Sequence, residues 1–387
     1  MKEKLIINAF KSLGGKHCQT SALKAILEFH SLKIKEEMLL GLGGGIGFIY
    51  WYMKVMPCPF IGTRTGGNNE AFLMRIAEGI GAKAYLFETS SSKKGYEEIK
   101  HILRQGEPAY TFVDMAYLPY MAMPEEAHFG GHTIVVYGID EEEDKVYISD
   151  RASKPVSITI DDLMRARSSK HHPMQPSNRL IKFILPDAIG DLRSGIREGI
   201  LCSCNTMLNP PLKNFGLEGI KKWAGLVEDW DNNFKGMNLL GCLLNTFIYI
   251  EIGGTGGSAF RTMYASFLHD AAKILDKPRL DKVSELYLSS AKHWDDIAKA
   301  SLPDDFESLR EIRRLMILKN KVFEEQKDDA LEKALSINME TDEWFKKALT
   351  DLEERDIKPL LKNMKEKILE CYKIEKHAIS ALYDAIR

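Results

Sequence analysis

Pro186 separates two stretches of this 387-residue chain whose apolar residues recur with different periods. Before it, helical and strand patterns alternate; after it, nearly every pattern is helical. Residues Cys18 to Phe29 carry Ala22, Leu23, Ile26, Leu27 and Phe29 at helical spacing, and a second helix is expected from Asn69 to about Ile80 with Asn68 as its cap. "AKAYLFE" reads as a strand, "KKGYEEIKHILRQGEP" as a helix stopped by Gly106 and Pro108, and "AYTFVDM" as a buried strand. "HTIVVYGI", "KVYISD", "PVSITI" and "RLIKFIL" are rich in β-branched and aromatic residues, with an acidic turn between the first two and a short helix near Asp161 between the last two. Helices followed by antiparallel strands predict an α+β domain over residues 1–186. Residues 187–387 predict an all-α helical domain ending in a charged, heptad-like tail from about Asp305.

The length exceeds that of a usual single core, and 44% hydrophobic with 28% charged residues suits two folded domains. A net charge of −2 gives no basic footprint for nucleic acid. The apolar run at the start is broken by Lys11 and lacks a cleavage signal, so no signal peptide is expected. The longest uncharged run, Met38 to Met53, is 16 residues long with five glycines, too short to predict a membrane span. Six dispersed cysteines without framework spacing fit a reducing cytoplasm. Cys202 and Cys204 form a lone C-x-C, and His171 and His172 a lone pair; neither has the spacing of a metal site, and no metal or bound cofactor is expected.

Cys18 falls where its helix begins, and there the unpaired N–H groups and the helix dipole favour a thiolate, the nucleophilic form. Such a nucleophile needs a base and the base an orienting group. Strand alternation puts His132 on one face with Ile134 and Val136, and Asp150 on one face with Val146 and Ile148. A hairpin turning near position 141 sets His132 and Asp150 opposite or nearly opposite each other, close enough for the carboxylate to hold the imidazole. Glycines 130 and 131 leave room beside His132 for another segment or a substrate. Each residue alone also fits a packed core; the combination points to catalysis.

The order of a helix-start Cys followed by His and Asp on later strands resembles the papain-like cysteine peptidases. More closely, "GKHCQTSAL", "EMLLGLGGGIGFIYW", "PFIGTR", "DMAYLPY" and "GGHTIVVYGID" look like the N-terminal domain of the butirosin biosynthesis protein H family. "EIGGTGGSAFRTMYASFLHDAA" and "AKHWDDIAKA" look like the helical domain of unknown function that accompanies it, so that the likeness extends to about residue 300. The resemblance implies an acyltransferase that takes an acyl group from the phosphopantetheine thioester of a carrier protein to an amine. Cys18 would be the nucleophile, His132 the proton carrier and Asp150 its orienter. A peptidase, amidase or thioesterase would use the same three residues, and a binding protein on a retired enzyme fold stays open. No glutamine precedes Cys18, so the oxyanion donors fall to the N–H of Cys18 or Gln19 and to Ser12, Asn8 or His17. His17, next to the nucleophile, suits cleft polarity or capping rather than the base.

Asp114, Tyr117 and Tyr120 are expected between the central strand and His132, where they would grip a small-molecule amine, or else lie on a surface loop. "GLGGGIG" follows a helical segment rather than a strand, which favours a glycine-rich cleft wall over a nucleotide loop. "GGTGGSAF" opens onto a helix, where Arg261 would add charge for an anion or the segment would simply pack tightly. A homo-oligomer is left open.

Overall fold

The structure, a computed structural model, describes residues 2–64, 69–124, 126–172 and 174–387. Strand β1 (Lys4–Ile6) and helix α1 (Cys18–Phe29) come first, then α2 (Glu36–Leu42), β2 (Ile49–Trp51), β3 (Phe60–Gly62) and α3 (Asn69–Gly79). They are followed by β4 (Lys83–Phe87), α4 (Ser92–Arg104), β5 (Ala109–Val113), β6 (His132–Asp140), β7 (Lys145–Ser149), β8 (Val156–Ile158), α5 (Ile160–Ser168) and β9 (Leu180–Ile184). Thereafter only helices occur among the described residues: α6 (Arg193–Leu208), α7 (Gly216–Leu226), α8 (Trp230–Asn233), α9 (Gly236–Phe247) and α10 (Arg261–Leu275). The last four are α11 (Arg279–Ser301), α12 (Glu307–Glu325), α13 (Ala330–Glu354) and α14 (Lys358–Ile386). The class is α+β: an antiparallel sheet with helices, then a largely helical region. Asn68, the expected cap of α3, lies outside the described residues. No described helix is long and apolar enough to cross a membrane.

The chain folds into two compact units, and neither is one continuous stretch. The first comprises residues 1–36, 80–190 and 318–338; the second comprises 37–79, 191–317 and 339–387. This differs from a single boundary after residue 186, because periodicity reports local structure and not which segments pack together.

In the first unit the strands run in the order β4-β9-β5-β6-β7-β8, and β1 also pairs with β6. A strand has two hydrogen-bonding edges. Since β7 takes one edge of β6 from Val135 to Asp140, β1 at Gly138–Asp140 continues the other edge beyond the end of β5. Ile134, Val136, Val146 and Ile148 face Ile99, Ile102 and Leu103 of α4 and Leu163 and Ala166 of α5. Alternation turns Tyr110 to the opposite face, where its hydroxyl donates to the Gln19 carbonyl of α1 at 3.2 Å. Leu23, Ile26 and Leu27 of α1 are buried; each such side chain contributes roughly 1.5–3 kcal/mol.

Local chemistry sets the ends of these elements. The Ser91 side chain caps α4 at its start, and Gly106 ends it with φ +79°. Thr159 and Asp162 form a capping box on α5. The acidic turn between β6 and β7 is closed by Asp140, which accepts from the N–H groups of Glu142 and Glu143.

In the second unit the segment "GLGGGIG" is buried, which corrects the expectation of a cleft wall. A Cβ at Gly41 would sit 2.2 Å from the Phe267 ring, and one at Gly43 would sit 2.2 Å from Phe72, so the absent side chains admit aromatic rings from α10 and α3. Phe48 stacks on Trp223, which stacks on Trp294, giving the unit an aromatic centre.

Candidate active site

Cys18 is the first residue of α1, and the residue before it, His17, is extended and does not cap the helix with its side chain. The cap comes from Glu36 of the same unit. Its carboxylate accepts from the N–H of Lys16 at 3.1 Å, from that of His17 at 2.8 Å and from the Thr20 hydroxyl at 2.9 Å. The helix start therefore already carries a negative charge, and a thiolate on Cys18 shares the favourable dipole with it. Gly15 makes this possible, since a Cβ there would meet Ser21 Cβ at 2.3 Å and Glu36 Oε2 at 2.9 Å.

What draws the thiol's pKa down is the other side of the site. Burial raises it, but the hydrogen bond and charge of His132, the Thr133 hydroxyl and the Arg151 charge together hold it below the ordinary thiol value. Cys18 itself is half-buried. His132 Nε2 lies 2.8 Å from Asp150 Oδ2, with both side chains almost wholly out of solvent. That leaves Nδ1 for the thiol. Burial opposes the charged imidazolium, yet the Asp150 charge and hydrogen bond, with Cys18, lift His132 to about 9. Asp150, despite burial, is held below the usual carboxylate range by His132 and Arg151. Cys18, His132 and Asp150 thus form a chain in which the thiol is drawn down and the imidazole drawn up.

The hairpin register differs in one respect from a directly facing pair. Val135 pairs with Ser149 and Val136 with Ile148, so Asp150 falls opposite Ile134, and His132 is its diagonal neighbour on the same face. An irregularity between Val136 and Gly138 shifts the register nearer the turn. The diagonal separation is bridged because both side chains reach across it.

Arg151 ties the two arms together. Its N–H donates to Asp150 Oδ1 at 2.6 Å, its guanidinium to the Lys16 carbonyl at 3.1 Å, and its carbonyl accepts from the Gly15 N–H at 2.9 Å. The loop before Cys18 is thereby fastened to the residue after Asp150. The space beside Gly130 holds another chain segment: a Cβ there would lie 1.8 Å from the Met174 carbonyl oxygen. Gly130→Ala is expected to cost about 1–3 kcal/mol, at the upper end because the obstacle is backbone, read as a lower urea midpoint.

The remaining residues singled out from the sequence divide sharply. His17 is buried and its Nδ1 meets the Thr20 hydroxyl at 3.3 Å, away from a base's role. Gln19 is buried beside Cys18. Ser12 bonds Ser149 Oγ at 2.9 Å and the Ala152 carbonyl at 3.4 Å, so its hydroxyl is engaged by the hairpin rather than turned to an oxyanion. Asp114 is buried and, against its burial, held below the ordinary carboxyl value by Ser169, His128 and the N–H groups of Ala116 and Phe129. It organises the loop instead of facing a substrate. Tyr117 meets His171 at 3.4 Å and lies under the Arg165 guanidinium. His171 stacks on His128 with centroids 3.4 Å apart. Tyr120, expected to grip a substrate, instead donates its hydroxyl to Asp150 Oδ2 at 2.9 Å.

Arg261 corrects the expectation of an anion site. It begins α10 after a left-handed turn at Ser258, Ala259 and Phe260 and is fully buried. All its donors are committed to Glu375 and to the carbonyls of Thr63, Ala259 and Gly47. Glu375 also accepts from Ser290 and Trp294. Arg261→Ala leaves Glu375 as an uncompensated buried charge and is expected to destabilise the protein by about 3–5 kcal/mol in denaturant titration. Cys204 is buried on α6, and burial pushes its thiol up to about 12. Among the described residues no group of three or more His, Cys, Asp or Glu is placed to hold a metal ion.

Thr133, Arg151, Glu36 and Phe323, whose ring lies under the Arg151 guanidinium at 5.0 Å, are parts of this arrangement that sequence reasoning missed. Thr133 and Arg151 adjoin His132 and Asp150, and adjacency was the available signal. Glu36 and Phe323 carry none.

Comparison with known proteins gives two family matches. Residues 17–151 match the model described as "Butirosin biosynthesis protein H, N-terminal", and residues 161–316 match "Domain of unknown function (DUF4872)". No curated protein matches the chain. The first match begins one residue before Cys18 and ends one residue after Asp150, so it encloses the whole array.

Proposed function

The chain belongs to the butirosin biosynthesis protein H family through residues 17–151, and on that premise we propose that it is a cysteine-dependent acyltransferase acting on a pantetheine thioester. The observation that carries the proposal is the Cys18 thiol, held below its ordinary pKa by an imidazole whose far nitrogen is fixed at 2.8 Å by a buried carboxylate. In this reading the Cys18 thiolate attacks the thioester carbonyl, the carbon–sulfur bond to pantetheine breaks, and His132 gives its proton to the departing thiolate. An amine then attacks the acyl-Cys18 ester, His132 takes the amine proton, and the Cys18 thiolate is released. Asp150 stays ionised throughout and keeps the imidazole in one orientation. The N–H of Cys18, one of the donors that helix geometry leaves without an intrahelical partner, is offered as one oxyanion donor, with the N–H of Gln19 beside it. An acyl carrier protein would present the donor; the papain-like likeness of the order Cys, His, Asp supports the same chemistry.

The test is intact-mass spectrometry after incubation with a panel of acyl-pantetheine thioesters. A mass gain equal to the acyl group is expected, discharged on adding an amine acceptor with formation of the amide. Discharge to water alone would make the protein a hydrolase using the same three residues. No gain across a broad panel would remove the enzymatic reading.

A further inference from the structure

Tyr120 and its surroundings extend the array to a part of the chain that both family matches leave out. Asp150 Oδ2 receives two donors, His132 Nε2 at 2.8 Å and the Tyr120 hydroxyl at 2.9 Å. Burial, and then the Asp150 charge, push the Tyr120 hydroxyl well above its ordinary pKa, so it remains a donor. Tyr120 sits in a single 3₁₀ turn, Pro119–Met121, which ends on Ala122 in the left-handed conformation, φ 46° and ψ 47°. A non-glycine residue keeps that conformation only where its surroundings hold it.

The end of α12 and the start of α13 supply the hold. The Phe323 ring lies nearly parallel to Tyr120, 14° apart with centroids at 6.4 Å, and the Arg151 guanidinium lies over the same ring at 5.0 Å. Lys319 Nζ and Asn338 Nδ2 both donate to the Ala122 carbonyl, at 2.7 and 2.8 Å. Ser153 donates its N–H to the Glu324 carbonyl at 2.9 Å, and Lys16 pairs with Glu324 at 3.5 Å. Residues 318–338 belong to the first compact unit although they follow the last matched residue, 316.

We infer that the helical hairpin 318–338 is part of the catalytic apparatus: through Phe323 it fixes Tyr120, a positioning residue whose hydroxyl shares Asp150 Oδ2 with His132 and moderates the hold of that carboxylate on the imidazolium. The inference rests on the acyltransferase reading only in taking Cys18 and His132 as the working pair. The charged and titratable groups facing His132 and its partner are Cys18 from α1, Asp150 and Arg151 from the end of β7, and Tyr120; the Lys16–Glu324 pair flanks the carbonyl that Arg151 holds.

The test is the pH dependence of iodoacetamide alkylation at Cys18 in the full-length protein, read on the Cys18 peptide so that the other cysteines do not contribute. In the wild type, reactivity at neutral pH reports the ion pair, and a change near the upper limit reports loss of the His132 proton. Tyr120→Phe keeps the ring and removes one donor from Asp150, so His132 should hold its proton to higher pH, moving the alkaline limb up by about half a unit or more. Phe323→Ala should move it in the same direction. A role confined to packing would lower thermal stability in both variants and leave the limb where it is. A Tyr120→Phe profile superimposed on the wild type overturns the inference, and movement in Tyr120→Phe without movement in Phe323→Ala overturns the part given to the hairpin. A wild-type profile like that of a free thiol, with no imidazole limb, would instead sink the catalytic reading itself.

Discussion

Cys18→Ala is expected to abolish the acyl adduct, with the mass gain seen on the wild type absent and amide formation reduced by at least about 10³-fold. The reason is chemical: Cys18 combines partial exposure with an imidazole that draws its pKa down. Cys204, Cys242 and Cys371 are buried with raised thiol values, and Cys58, though half-buried, is also pushed up. Cys202 is half-buried on α6. An adduct that persists at the wild-type level in Cys18→Ala would refute the assignment.

Asp150→Asn should give the second large effect, and its sign follows from the causes of the His132 shift. Burial pushes the imidazole toward neutrality; the Asp150 charge reverses that and lifts it to about 9. Without the charge only the smaller pull of Cys18 opposes burial, and the value falls toward the ordinary 6.5. At pH 7.5 the variant's imidazole is then neutral, the ion pair with Cys18 is lost, and acyl transfer should drop by about 10²–10⁴-fold. The alkaline limb of the alkylation profile should move down past neutrality, opposite to the movement expected for Tyr120→Phe.

Stability is linked to the same proton. Because the folded value of His132 lies above its unfolded one, its contribution is fully present below about pH 6.5 and is lost as pH rises through about 9, a change on the order of 3 kcal/mol. Asp150 works the other way: its folded value is depressed, so its contribution is present above the ordinary 3.8 and lost as pH falls. Urea midpoints measured from pH 6 to 10 should fall in the wild type and stay flatter in Asp150→Asn. Equal slopes in the two proteins would contradict the assignment of the raised value to Asp150.

Much of this arrangement was legible in the residues. The helix from Cys18 to Phe29 follows from the spacing of Leu23, Ile26 and Leu27, and the hairpin of β6 and β7 from two runs of β-branched residues around an acidic turn. The closeness of His132 and Asp150 follows from that hairpin to within two positions, the offset arising because the turn is centred between Glu142 and Glu143 rather than at 141. The polar residues near the array were harder to assign. Asp114, Tyr120 and Arg261 all have groups suited to holding a ligand, and each is instead occupied by a protein partner. A side chain's type states what it can bond, not what the fold puts beside it.

The sequence alone determined the α+β class, the extent of helices such as α1 and α4, and the short-range pairing that brings His132 near Asp150, because these depend on periods of 2 and 3.6 residues and on caps within a few positions. Only the tertiary structure decided that Glu36 occupies the start of α1, that Arg151 fastens the loop before Cys18, and that Phe323, from a hairpin more than a hundred residues away, lies against Tyr120. Those contacts arise where separate segments exclude water from a shared interior, and a buried carboxylate takes whichever donors that interior brings within 3 Å.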